Sequence, residues 1–432
     1  MSEPAARARA GTAAPRRRRG WRVAAVLAAL VAIGALLLWA LLPPERLARL
    51  ALSRLAAANG LEVAIGDASL ALRGQPTLVL REVSVREPGA GTPLLRAGRV
   101  LLSLPWSTLR DRDAAPRITR IELDAPLFDL TAASHWLATR PAREGGIAWP
   151  VLTRGLRIRD GVLLLAGGNR IEALAIELPR FAADIPLRAR VGGRYAGDGP
   201  TLRFDLALAL QRPAAATGLG IVGSIDAGGD GWSLPARLRL SGPLHAGDGV
   251  LRLRPAKLAL SARWRSGATD LPFVLGVHGP LRVGADAVAI APLRLVLRSD
   301  AAVVPQADAG GRIALGTRLL LELDGALQAW PPGWPALPPP PGASDSPVAF
   351  ALGYFGAPSL SSATSVRLAR DGAQFDGSFR LPELLEWLDA GDAGSPLPPL
   401  RGKVHADLLE VSGATLEGVE IRFDDARGPA PR

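Results

Sequence analysis

The stretch that decides the fold class is Thr201-Leu-Arg-Phe-Asp-Leu-Ala-Leu-Ala-Leu210. Leu202, Phe204, Leu206, Leu208 and Leu210 occupy every second position, with Arg203, Asp205, Ala207 and Ala209 between them. Successive side chains of a strand point to opposite faces, so this spacing collects the five large apolar groups on one face of a sheet. A helix, with its period of 3.6, would scatter them around its circumference.

From Leu61 onward the same period recurs on both sides of this stretch: Val83 and Val85; Val100, Leu102 and Leu104; Leu238 and Leu240; Leu251 and Leu253; Leu258 and Leu260; Phe273, Leu275 and Val277; Leu319, Leu321 and Leu323. Gly, Pro, Asp or Asn bounds each run, as turns require. The pattern predicts an antiparallel meander with one apolar face and one face of Arg, Ala, Ser and Asp. Helices are expected only after residue 43 (Leu47 to Ala58, stopped by Gly60), at Trp106 to Asp111, at Ala132 to Thr139 and at Leu381 to Leu388. Between Trp330 and Pro347 the chain is too rich in proline for a strand or helix interior. It reads as a polyproline-like linker separating residues 43–329 from 348–432, the last of which, Asp425 to Arg432, form a frayed tail.

Val23 to Leu42 carries no charge and has the roughly 20 residues a helix needs to cross about 30 Å of hydrocarbon. It ends in Leu-Leu-Pro-Pro, without the small residues of a cleavage site, so the segment reads as a retained transmembrane helix. Seven arginines precede it and a nearly neutral flank follows. The positive-inside rule therefore places residues 1–22 in the cytoplasm and the chain from 43 onward on the other side.

That tail also accounts for much of the charge. The formal net charge is +11, of which residues 1–22 hold +6 and the rest +5. Lys257 and Lys403 are the only lysines, and no basic stripe interleaved with aromatics is present, so nucleic acid is not an expected partner. With no cysteine in the chain, disulfides, thiolate metal sites and cysteine nucleophiles are excluded. Gly218-Leu-Gly-Ile-Val-Gly223 matches a dinucleotide fingerprint but runs into Ser-Ile-Asp-Ala-Gly-Gly, a turn and not a helix. His135, His245, His278 and His405 are dispersed without metal-like spacing, and Asp226 to Gly231 lacks the carboxylate spacing of a calcium loop. A pair of carboxylates for glycan hydrolysis acts through separation in space and would want an aromatic platform, for which 2 Tyr and 9 Phe are few. No catalytic residue, metal or cofactor is expected, and the chain does not read as an enzyme.

In their order, these features resemble the AsmA family of bacterial membrane-anchored proteins, related to the bridge-like lipid-transfer group. The match rests on Gly60 to Leu72 as the first strands after the anchor, on Arg99 to Leu109 followed by Ile118 to Leu130, and on the Asp-Gly hairpin of Leu156 to Leu165. Leu381 to Leu388 and Leu400 to Leu408 are similar to the family's late helix and closing strands. The resemblance implies a mainly β fold: an N-terminal transmembrane helix, then a long curved antiparallel β-sheet forming an open groove, with a few short helices.

It also implies a place in the inner membrane, with the bulk of the chain in the periplasm. The implied role is in phospholipid transport and outer-membrane biogenesis, with lipid acyl chains and envelope proteins as partners. Exposing a 16-carbon chain to water costs about 13 kcal/mol at ~0.8 kcal/mol per CH₂, so an apolar groove is a strong inducement. The residues implied to line it are Leu102, Leu104, Leu202, Phe204, Leu206, Leu208, Leu238, Leu240, Phe273, Leu275 and Leu321. About 22 strands at ~4.8 Å would make a groove of about 105 Å. Periodicity alone favours a closed sandwich or barrel, filled by its own side chains, over an open groove; it is the resemblance that points to the groove. An adaptor subunit of an envelope complex, like the similarly anchored protein N of type II secretion systems, is the alternative function.

Overall fold

The computed structural model describes residues 60–71, 74–105, 118–139, 151–182, 184–197, 199–213, 216–247, 249–284, 287–390, 398–411 and 413–423. Among the described residues twenty strands follow one another, with helix α1 (Leu130–Thr139) between β4 (Arg120–Asp129) and β5 (Leu156–Leu164) and helix α2 (Leu381–Ala390) between β18 (Ala373–Arg380) and β19 (Arg401–Val411). Every strand pairs with its sequence neighbour, from β1 (Glu62–Ala71) with β2 (Thr77–Arg86) to β19 (Arg401–Val411) with β20 (Ala414–Phe423). The result is one long curved sheet, open at both ends. Nineteen spacings of ~4.8 Å give it a contour of about 91 Å, somewhat shorter than expected.

The curvature follows from where α2 lands. Leu381 continues directly from β18 (Ala373–Arg380), and Asp389 accepts a hydrogen bond from Ser266 at the end of β11 (Val250–Ser266), Oγ to Oδ2 2.7 Å. In a flat sheet β11 and β18 would lie about 34 Å apart, whereas a ten-residue helix is about 15 Å long. The sheet curls enough for the helix to span the gap.

Several sequence expectations change. Leu156 to Leu164 forms one strand, irregular at Asp160-Gly161, and not an Asp-Gly hairpin, and Ser224 to Gly229 continues a strand where a turn was expected. One pair is parallel: β4 (Arg120–Asp129) with β5 (Leu156–Leu164). A parallel neighbour demands a crossover, and α1, capped by the Asp129 carboxylate on the Ala132 N–H (2.9 Å), begins it. The long central strands β10 (Trp232–Gly247), β11, β12 (Thr269–Val283) and β13 (Val288–Arg298) merge runs that proline seemed to separate. Pro243, Pro255, Pro280 and Pro292 each stand at a register shift, so four strands give up ladder bonds at one level and the sheet creases there without ending. Trp330 to Pro347 does not interrupt the sheet either, since β15 (Leu319–Leu327) and β16 (Val348–Gly356) pair along their whole length.

That proline-rich segment packs as a loop. Trp334 Nε1 donates to the Val303 carbonyl (2.9 Å), Pro341 is buried, and the Pro339 carbonyl takes the Glu410 N–H (2.8 Å) where β18 no longer covers β19. Val23 to Leu42, the helices expected at 47–58 and 106–111, and the tail at 425–432 lie outside the described residues. Among those described, no helix is long and apolar enough to cross a membrane.

Candidate functional site, an apolar groove

Register shows what alternation along one strand cannot. Residues directly opposite across a ladder share a face. Starting at β1, successive opposites run Ala68, Leu80, Val100, Leu123, Ile158, Ile176, Val191 and Leu206. They continue through Gly223, Leu238, Leu260, Leu275, Leu297, Ala307, Leu327 and Val348 on β16. No polar side chain interrupts this row. Its one gap, Gly223, is a close approach of β8 (Thr201–Leu210) and β9 (Ala216–Gly229): a Cβ there would lie 2.1 Å from the Asp205 carbonyl oxygen.

A second row, one step along the strands, runs from Ala189 on β7 (Leu187–Ala196) through Leu208, Ile221, Leu240, Leu258, Val277 and Leu295. It passes on through Phe350, Leu368, Phe375 and Val404 to Ile421 on β20. Neither row contains a titratable group, so this face attracts no charge.

Burial along the longer row is uneven. From Ala68 to Ile158 it is closed, with Ala68 fully buried and Leu80 2% exposed. It closes again at Ala307, Leu327 and Val348, where Trp330 and Trp334 of the proline-rich loop pack against it. From Ile176 to Leu297 every member is half-buried. Among the described residues no second layer lies over the central strands of this face. The curl of the sheet shelters it, and the centre, about 34 Å along the eight strands from β6 (Arg170–Leu178) to β13, stays accessible.

The eleven residues proposed from sequence all lie along this face and all are half-buried. Leu206, Leu238 and Leu275 stand on the first row, Leu208 and Leu240 on the second. Phe204 and Phe273 share a third through Ile225, Ala236 and Ala262. Leu321 and Leu102 extend the face toward the two ends, Leu202 lies opposite Ala227, and Leu104 follows β3 (Leu95–Ser103) directly. Sequence reasoning passed over Trp232 and Trp264. Their rings stack on the same face, centroids 4.8 Å apart and planes 14° from parallel, near one rim of the groove.

The opposite face is built of cross-strand ion pairs. Arg190 binds Asp205 through two bonds of 2.8 and 2.5 Å, Arg312 binds Glu322 at 2.6 and 2.7 Å, and Arg298 binds Asp308 at 2.9 Å. Hydrogen bonds from Arg190 hold the Asp205 carboxyl below its usual range, and Arg312 does the same to Glu322. Glu172 is lowered by Arg170 and Arg194, and Asp308 by Gln328 and Arg298. These pairs are solvent-exposed and keep the outer face wet more than they stabilise the fold.

Other chemistry does not assemble. Gly218 to Gly223 lies inside β9, with no helix to receive a phosphate. Among the described residues no group of His, Asp and Glu is arranged to hold a metal. His135 sits 3.3 Å from Glu87, and His405 lies 3.6 Å from Asp407. Comparison with protein-family models, with curated proteins and with solved structures finds no match to this chain.

Proposed function

We propose that this protein shelters phospholipid acyl chains in its apolar groove and thereby aids lipid movement and outer-membrane biogenesis in a bacterial envelope, without catalysing a reaction. In this reading Val23 to Leu42 anchors the chain in the inner membrane and the sheet stands in the periplasm. The observation that carries it is the apolar register, buried from Ala68 to Ile158 and again from Ala307 to Val348 and only half-buried across the eight strands between. A core filled by its own side chains has no reason to leave its middle uncovered, whereas a groove for a hydrocarbon must. The resemblance of the flanking segments to the AsmA family supports the same assignment.

The test is native mass spectrometry and lipid extraction on the full chain purified from a membrane. Co-purifying phospholipid is expected, and it should be lost when Phe204 and Leu206 are both replaced by Asp in a variant that keeps its β-sheet circular dichroism. A folded wild-type protein that carries no lipid but holds protein partners in fixed ratio would replace this reading with the adaptor role.

A further inference from the structure

The two ends of the central strands differ chemically. Along the inner face from β8 to β12 the row Phe204, Ile225, Ala236, Ala262, Phe273 is apolar. Trp264, two residues beyond Ala262 and opposite Leu271, comes next. The outermost row is Gly229, Trp232, Ser266 and Thr269, and Asp389 is bonded to Ser266 there. Hydrocarbon-like surface therefore gives way to polar surface within two residues, about 7 Å.

At that boundary the Trp264 indole N–H is buried and, among the described residues, has no hydrogen-bond partner. Its near-parallel stack with Trp232 directs the in-plane N–H away from the neighbouring ring's π-face. An unsatisfied buried donor is costly, and tryptophan is suited to a place where one end of a ligand is apolar and the other wet.

Resting on the groove reading above, we infer that Trp232 and Trp264 seat the junction between acyl chains and headgroup of a diacyl glycerolipid, with the Trp264 N–H donating to an ester carbonyl. Side-chain movement at the rim opens the donor to the lipid. The acceptor is a neutral carbonyl because Trp264 lies inside the apolar zone, where a phosphate would be stripped of water without a countercharge. The Asp389 carboxylate at the rim repels a phosphate from the same path. The phosphate stays outside the Ser266 and Thr269 row, in solvent.

The test loads lipid-free full chain, in detergent, with an equimolar mixture of diester and diether phospholipids of identical headgroup and chain length, and reads the bound ratio by native mass spectrometry. One neutral hydrogen bond predicts an ester preference of about fivefold. Trp264→Phe keeps the apolar ring and should bring the ratio to about one while ether lipid still loads at the wild-type level. A wild-type ratio of one, or a preference that survives Trp264→Phe, overturns the inference. Equal loss of both lipids in the variant also overturns it, by assigning the donor to a group the two share. Wild-type protein that loads neither lipid removes the groove reading itself. Independently of any variant, a ¹³C-labelled ester carbonyl loaded into the wild-type chain should absorb at the lowered frequency of a hydrogen-bonded ester. An unbonded frequency contradicts the proposal.

Discussion

Leu80 and Leu260 lie on the same apolar row, yet truncating them should have unlike consequences. Leu80 is 2% exposed between Ala68 and Val100, whereas Leu260 is half-buried between Leu238 and Leu275. Leu→Ala removes about three methylene equivalents, or roughly 2.4 kcal/mol of transfer free energy when burial is complete. At Leu80 the surroundings are closed, so a cavity remains and the total cost should be about 3 to 4 kcal/mol. At Leu260, which is only partly covered, most of the transfer still applies but no enclosed void forms, giving about 2 kcal/mol. Because each strand packs mainly against its two sheet neighbours, local stability is the proper readout. Native-state hydrogen exchange on lipid-free protein should show the larger loss in β1 to β3 for Leu80→Ala and a clearly smaller one in β10 to β12 for Leu260→Ala. Equal losses near 3 kcal/mol at both sites would show that the centre is a filled core, and the groove argument would fail.

Tyr354, 2% exposed, donates its hydroxyl to the Ala357 carbonyl (2.5 Å); Tyr354→Phe should cost about 1 kcal/mol in exchange protection of β16 and β17 (Ala363–Arg370) and leave lipid loading unchanged. Gly223→Ala places a Cβ against the Asp205 carbonyl, so β8 and β9 must separate there; faster amide exchange on both strands is expected, and unchanged exchange would contradict the close approach. The lowered Asp205, Glu172, Asp308 and Glu322 carboxyls contribute stability that is fully present above the unfolded range near pH 4 and lost as pH falls through their folded values. Thermal midpoints should therefore stay level between about pH 5 and 7 and fall below about pH 4; a midpoint that rose on acidification would reverse the sign.

Much of this face was legible in sequence because alternation is a direct consequence of strand geometry. Leu202 to Leu210 forms β8 as its spacing predicts, and the helices at 132–139 and 381–388 appear at Leu130–Thr139 and Leu381–Ala390. Proline misled where it sits at a bulge: Leu251 to Leu260 reads as two runs around Pro255, but the sheet creases and carries one strand through. The parallel β4–β5 pair was not legible, since strand direction depends on the path of the connection and leaves no mark in side-chain period. Nor could the sequence distinguish an open face from a closed one, because both require the same alternation. Half-burial from Ile176 to Leu297 depends on curvature, a property of the whole sheet. Trp264 was missed for a related reason: only register places it beside Trp232.

The central claim is that hydrocarbon occupies the inner face, and a phospholipid bearing a photoactivatable diazirine in its acyl chain tests it most directly. After loading and illumination of the full chain, adducts should map to Leu206, Leu238, Leu260 and Leu275 on the inner rows. Val222, Val274 and Val296, which are apolar and 41 to 51% exposed on the opposite face, should remain unlabelled. Labelling that follows exposure, with those three valines modified and the inner rows spared, would contradict the groove.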